Sequence, residues 1–155
     1  MKIATLAAVL ALASASIAAA DPSQPSAGAR AQAAAQPIGP PPPGQARVVF
    51  YRPSALYGFI IGYSVRENGL QLNTLSNGRY FIVDASPGAH TFTVAVSTTS
   101  RLTLDVAPGR TYYVWAGLES GFGGDPSLEP SEKSDFDGAF ARGKLKLAPG
   151  AKPAA

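Results

Sequence analysis

The chain of 155 residues contains no cysteine and a single histidine, His90. The missing cysteines exclude disulfide frameworks, cysteine nucleophiles and cysteine-ligated metal centres, and one histidine excludes a multi-histidine metal site. We therefore expect no metal and no cofactor. Charge is also scarce, because 13 basic and 10 acidic residues leave a formal net charge of only +3. This balance is too weak to indicate a nucleic-acid partner.

The first twenty residues have the pattern of a secretory signal peptide. Lys2 supplies a positive start, residues 3–12 are uncharged and apolar, and the small residues 18–20 form a site of the kind that signal peptidase accepts. The apolar stretch is too short to span a bilayer. We therefore predict cleavage after Ala20 and export to the periplasm or the medium. The mature chain is expected to have no transmembrane span and no lipid anchor on cysteine.

The next boundary is a change in composition. Residues 21–46 are rich in proline and alanine, with four consecutive prolines at 40–43, which predicts an extended or disordered linker. Strand-forming residues begin at Arg47. We therefore predict a folded domain over 47–147 and a flexible tail over 148–155.

Within this domain the hydrophobic period is two. Apolar and polar residues alternate over 90–97, and several further short segments of this kind are bounded by turn residues. The Asn-Gly pairs at 68–69 and 77–78 are typical of two-residue hairpin turns. Strands joined by tight turns are antiparallel, and one sheet cannot cover its own apolar face. The sequence therefore predicts an all-β fold, a small antiparallel β-sandwich of seven to eight strands.

One short C-terminal helix is predicted over 135–142. Ser134 can cap its first turn, Phe136 and Phe140 are spaced to share one face, and Gly143 can end it.

The aromatic residues provide a candidate binding surface. Tyr113 and Trp115 share one side of their strand, and Tyr51, Tyr57 and Phe59 lie in a second aromatic-rich stretch that could join it. A strand that is apolar on both faces is either central and covered or exposes an adhesive surface. Burial in the centre is one interpretation of Tyr113 and Trp115. An exposed aromatic platform for a glycan, a peptide or a partner protein is the other.

Two further residues have open interpretations. Arg52, before Pro53, is either solvated at a strand end or paired with Asp84, and we favour the structural ion pair. His90 could act as a general base, but the sequence has no G-x-S-x-G motif to supply a nucleophile. We therefore expect no catalytic residues.

Several motifs occur in a fixed order along the domain. They are Tyr-Arg-Pro-Ser at 51–54, Asn-Gly at 68–69 and 77–78, Ser-Pro-Gly at 86–88, and Pro-Gly-x-Thr-Tyr-Tyr-Val at 108–114. In this order they resemble the bacterial envelope family catalogued as domain of unknown function 2846.

The resemblance covers residues 47–118. It implies a β-sandwich like that of transthyretin or of carboxypeptidase regulatory domains, in an exported and often lipid-anchored protein with no established activity. This chain departs from the family in having no lipobox cysteine. The family offers no catalytic residues to carry over.

These observations lead to one principal hypothesis and two alternatives. The principal hypothesis is a non-enzymatic, exported β-sandwich that serves as a structural or protein-binding module of the bacterial cell envelope. The first alternative is a carbohydrate- or peptide-recognition module that requires Tyr113 and Trp115 to be exposed together. The second is a hydrolase, which would have to use His90.

Overall fold

The computed structural model describes residues 38–96, 98–118 and 125–153. The predicted signal peptide, residues 1–20, lies outside the described residues. Residues 21–37 of the predicted linker also lie outside them.

The described residues form nine strands and one helix. Their bounds are β1 (Ala46–Arg52), β2 (Tyr63–Glu67), β3 (Leu70–Leu75), β4 (Arg79–Ala85), β5 (Gly88–Ala95), β6 (Thr99–Val106), β7 (Thr111–Leu118), β8 (Pro126–Ser131), α1 (Lys133–Ala141) and β9 (Lys146–Leu147).

The strands make two sheets, so the predicted all-β sandwich with one short C-terminal helix is confirmed. The first sheet has the order β8-β7-β1-β4-β9 and the second has the order β3-β2-β5-β6. The second sheet is wholly antiparallel, but β1 pairs parallel with β7, and β4 pairs parallel with β9. These parallel pairs join strands that are distant in sequence, which is why tight-turn signals did not predict them.

The core between the sheets is built on three phenylalanines. The Phe50 ring stacks on Phe81 with centroids 5.0 Å apart and meets Phe92 edge-on at 4.9 Å. Aliphatic residues of both sheets, including Val65 and Val94, complete this cluster. The alternation along β5 therefore places Phe92 and Val94 in the core, as the sequence predicts.

The opposite face of the first sheet is covered by α1. Phe136 lies over three tyrosines of the sheet, with ring centroids 5.3 Å from Tyr51, 5.5 Å from Tyr80 and 5.4 Å from Tyr113. As a result, every residue of β1 is buried, on one face by the second sheet and on the other by the helix. Among the described residues, no helix has the length and apolarity needed to cross a membrane.

The helix begins earlier than predicted. Its N-cap is Glu132, not Ser134, because the Asp135 carboxylate accepts a hydrogen bond from the Glu132 main-chain N–H at 3.3 Å and closes a capping box. Ser134 therefore lies inside the first turn. The predicted stop at Gly143 fits the structure, since this glycine has a φ of 67° and its N–H donates to Phe140 O at 2.9 Å.

Strand β8 has no counterpart in the sequence-based prediction. Its sequence contains Pro126 and Pro130, and proline cannot donate a hydrogen bond to a sheet ladder. The strand is tolerated because it forms the edge of the first sheet.

The packed chain extends beyond the strands at both ends. Before β1, Ile38 is buried in the helix-side cluster, and Arg47 Nη1 donates to Gly39 O at 2.9 Å. After β9, Ala148 is buried and its N–H donates to Tyr80 O at 2.7 Å.

Candidate binding surfaces

The connection between β1 and β2, residues 53–62, exposes large apolar side chains, and we call it the apolar loop. Leu56 is 92% exposed, Ile60 81% and Phe59 60%, and Tyr57 is also exposed. Of the six large exposed hydrophobic residues among those described, four lie in this loop. Single apolar residues on a surface need no explanation, but four within five consecutive residues make this loop a candidate interaction site.

The backbone of the apolar loop is held by Arg52 at the end of β1. This side chain is only 3% exposed, and its guanidinium donates from Nη1 to Ile61 O at 2.5 Å and from Nη2 to Gly58 O at 2.7 Å. Its Cζ also lies 5.1 Å from the centroid of the Tyr63 ring, within the range of a cation–π contact. Burial raises the pKa of the Tyr63 phenol to about 12, with the Arg52 charge opposing part of this rise.

The predicted ion pair between Arg52 and Asp84 is wrong. Asp84 pairs instead with Arg47, which donates from Nε to Oδ1 at 2.7 Å and from Nη2 to Oδ2 at 3.1 Å. The antiparallel register of β1 and β4 explains the difference, because it sets Arg47 opposite Asp84 and Arg52 opposite Arg79. Arg52 is thus at the far end of the strand from the carboxylate.

Three further contacts fix the apolar loop. The Ala55 main chain makes two hydrogen bonds with the Asn77 side chain, at 3.0 Å to Oδ1 and 3.1 Å from Nδ2. The Ser54 N–H donates to Lys144 O at 3.2 Å. Gly58 has a φ of +66°, and a Cβ placed there would lie 2.3 Å from Leu118 Cδ1, so the loop is seated closely on β7. The apolar side chains are therefore presented on a fixed backbone.

Basic residues lie next to the base of this loop. Lys144 and Lys146 are exposed. The Lys144 main-chain oxygen accepts the hydrogen bond from Ser54 at the base of the loop, and the Lys146 N–H donates to Gly78 O at 2.9 Å. Arg79 is paired with Lys146 in the β4–β9 ladder. We call Arg79, Lys144 and Lys146 the basic rim.

Three of the five aromatic residues named from the sequence, Tyr51, Tyr113 and Trp115, lie together on the helix-facing side of the first sheet. Tyr51 and Tyr113 are buried beneath Phe136, with exposures of 1% and 8%, and Trp115 is half-buried. Tyr51 also shares a hydrogen bond of 2.8 Å with Ser131 Oγ. The structure thus brings the residues together but does not expose them side by side. Tyr57 and Phe59 lie apart from them, in the apolar loop.

Trp115 lines a cleft of about 610 Å³ between α1 and the β7–β8 edge. Three acidic residues, Glu129, Glu132 and Asp135, line it as well, together with the single cation Arg142. Glu129 belongs to β8, and Glu132 and Asp135 follow it at the start of α1. The acids were not recognised as part of a site, because β8 and its pairing beside Trp115 were not predicted. We call this space the aromatic cleft.

His90 is held in a structural ion pair on the second sheet. Its Nδ1 contacts a carboxylate oxygen of Glu67, and its Nε2 lies 2.7 Å from Ser86 O. Both partners are acceptors, so a doubly protonated ring satisfies them best. The hydrogen bond to Glu67 is the main cause of a raised pKa for His90, supported by the Ser86 carbonyl and opposed by partial burial. Among the described residues, no group of three or more His, Asp or Glu side chains could hold a metal ion.

No family model, curated protein or solved structure matches this chain. The resemblance to the envelope family therefore stays a prediction from the sequence motifs. The apolar loop and the aromatic cleft are the features from which a function can be argued.

Proposed function

We propose that this chain is an exported, non-enzymatic β-sandwich that serves as a structural or binding module of the bacterial cell envelope, with the apolar loop as its docking element. The observation that carries the proposal is the combination of exposed apolar side chains with a rigidly held backbone. The four exposed side chains, Leu56, Tyr57, Phe59 and Ile60, belong to neither of the two core clusters.

The way Arg52 is used supports a docking role. Hydrogen bonds from a charged donor contribute about 1.5–3 kcal/mol each, and this buried guanidinium directs two of them to the loop backbone. A loop that is already ordered loses little conformational entropy when it binds. The fixed backbone therefore favours binding through Leu56, Phe59 and Ile60 without a preceding folding step.

Export and the envelope location are supported by the sequence alone. The signal-peptide pattern of residues 1–20 predicts passage across the inner membrane. The motif order over 47–118 adds the resemblance to an envelope family with a transthyretin-like sandwich.

Site-specific photo-crosslinking tests the proposal. A photoreactive residue is placed at Phe59 in the full chain, with Leu70 as the matched control because it is 74% exposed at the start of β3. After irradiation of intact cells, position 59 should give a defined adduct with an envelope component, and position 70 should not. Equal labelling from both positions, or none from position 59, would refute docking through the apolar loop.

A second candidate function is peptide or carbohydrate recognition at the aromatic cleft. It is favoured by one observation, the partly exposed Trp115 ring in a cleft of about 610 Å³. Because its acids outnumber its single cation, a basic peptide is a better ligand than a neutral glycan. Quenching or a shift of Trp115 fluorescence on addition of oligolysine, absent with neutral oligosaccharides, would support this candidate.

A further inference from the structure

We infer that the apolar loop docks on the surface of an anionic lipid bilayer, with the basic rim facing the lipid headgroups. This inference rests on the proposed function, since it names the partner of the same loop. Two observations support it: the exposed apolar side chains of the loop, and the basic residues beside the loop.

The apolar loop leaves four large apolar side chains exposed. Leu56 and Ile60 are the most exposed large hydrophobic residues described, and Phe59 and Tyr57 lie between them in the chain. A bilayer interface accepts separate projecting side chains of this kind, with aromatic rings at headgroup depth. A protein partner would need a matching concave surface.

The charge beside the loop has the sign that anionic headgroups attract. Lys144 and Lys146 are exposed next to the base of the loop, and Arg79 lies next to them on β4. The described acids near this end lie at the opposite edge of the first sheet from β9. Asp125, to which Thr98 Oγ1 donates at 2.8 Å, directly precedes β8, and Glu129 belongs to β8. Cations close to a membrane surface add binding energy, and this contribution is screened by salt.

The charged side chains near the other end of β1 include two ion pairs. There Asp84 is paired with Arg47, and His90 is paired with Glu67 on the second sheet. Their charges are already balanced within the protein. The apolar loop and the exposed Lys144 and Lys146 therefore lie at the same end of the first sheet.

The test uses a fluorescent reporter in the loop of the full chain. Phe59→Trp is combined with Trp115→Phe, so that the only tryptophan lies in the apolar loop. The matched control reporter is Leu70→Trp with Trp115→Phe. Both proteins are mixed with phosphatidylglycerol vesicles and, separately, with phosphatidylcholine vesicles at low salt. Because both reporters share the same N-terminal segment, a difference between them reports on the loop.

The expected result is a blue shift and protection from an aqueous quencher for the residue 59 reporter with phosphatidylglycerol vesicles only. The residue 70 reporter should not change. Removing two charges of the rim with Lys144→Ser and Lys146→Ser should weaken vesicle binding about 30-fold, and the same charge loss in Arg66→Ser and Arg110→Ser should have little effect. Unchanged unfolding midpoints would show that these surface variants fold normally.

Three results would overturn the inference. They are no shift of the residue 59 reporter, an equal shift with phosphatidylcholine vesicles, and unchanged binding after loss of Lys144 and Lys146. Crosslinks from residue 59 to an envelope protein, with no shift on vesicles, would retain the proposed function and reject the bilayer as the partner. An absence of both crosslinks and vesicle binding would reject both proposals.

Discussion

Arg52 donates through Nη2 to the main-chain oxygen of Gly58 at 2.7 Å, although Arg52 belongs to a strand in which every residue is buried. A buried cation is costly unless its donors are satisfied. Within the described part of the chain no carboxylate contacts the guanidinium, and main-chain carbonyls of the apolar loop accept its hydrogen bonds instead. The stability of the sandwich is thereby coupled to the conformation of the loop.

This coupling predicts that Arg52→Lys destabilises the protein. An ammonium group keeps the charge but cannot reach both carbonyl oxygens with the geometry of a planar guanidinium. We expect the free energy of unfolding to fall by about 2–3 kcal/mol in urea denaturation. Arg66→Lys is the matched control, because Arg66 is exposed, and its free energy of unfolding should change by less than about 0.5 kcal/mol. Equal effects of the two changes would contradict the account.

The ion pair between β1 and β4 gives a second prediction. Asp84→Asn keeps the shape of the side chain but leaves the guanidinium of Arg47, which is 3% exposed, without its carboxylate. We expect a loss of about 1–3 kcal/mol in the free energy of unfolding. Asp105→Asn removes the same charge from an exposed position on β6 and should be close to neutral. A neutral Asp84→Asn would show that the pair adds nothing to stability.

The pH dependence follows from His90. Its folded pKa is raised above the unfolded value of about 6.5, so the pair with Glu67 stabilises the protein fully below that pH. This contribution is lost as the pH rises through the folded pKa. Stability should therefore decline with pH above about 6.5, and in Glu67→Gln this part of the decline should be smaller.

Proton NMR of the single histidine checks this directly. The ring resonances of the wild-type protein should titrate above pH 6.5, and those of Glu67→Gln should titrate at lower pH than in the wild type. Identical titration curves would mean that Glu67 does not hold the proton on His90.

The packing of Trp115 against its own strand gives a fourth prediction. A Cβ placed on Gly117 would lie 1.8 Å from Cη2 of the Trp115 indole, so Gly117→Ala must displace the ring. We expect a cost of about 1–3 kcal/mol and a red shift of the tryptophan emission. In a Trp115→Val background the same Gly117→Ala change should cost much less, and a double-mutant cycle measures this difference. Additive effects would contradict the contact.

The sandwich could be predicted because alternation and turn residues are local properties. The pattern over 90–97 and the Asn-Gly turns specify strands and hairpins without reference to the rest of the chain. Residues far apart in sequence set the remaining features. The partner of Asp84 depends on the register of β1 against β4, which local patterns do not contain.

The candidate surfaces were predictable only in part. Residues 56–61 are apolar but lack strand alternation, and this is the signal that could have identified an exposed loop. Its attachment to Arg52 depends on where β1 ends, and Tyr51 and Tyr113 could not be distinguished from exposed rings before the position of α1 was known. The partners of Arg52 and the burial of the two tyrosines depend on which elements contact each other in the folded chain, and residue type alone does not predict them.

Hydrogen–deuterium exchange of the full chain, with and without envelope membranes, tests the central claim that the apolar loop is the docking element. The account predicts that amides within residues 53–62 become protected when membranes are added, and that those of α1 beside the aromatic cleft do not. Protection confined to α1, or no change in residues 53–62, would contradict it.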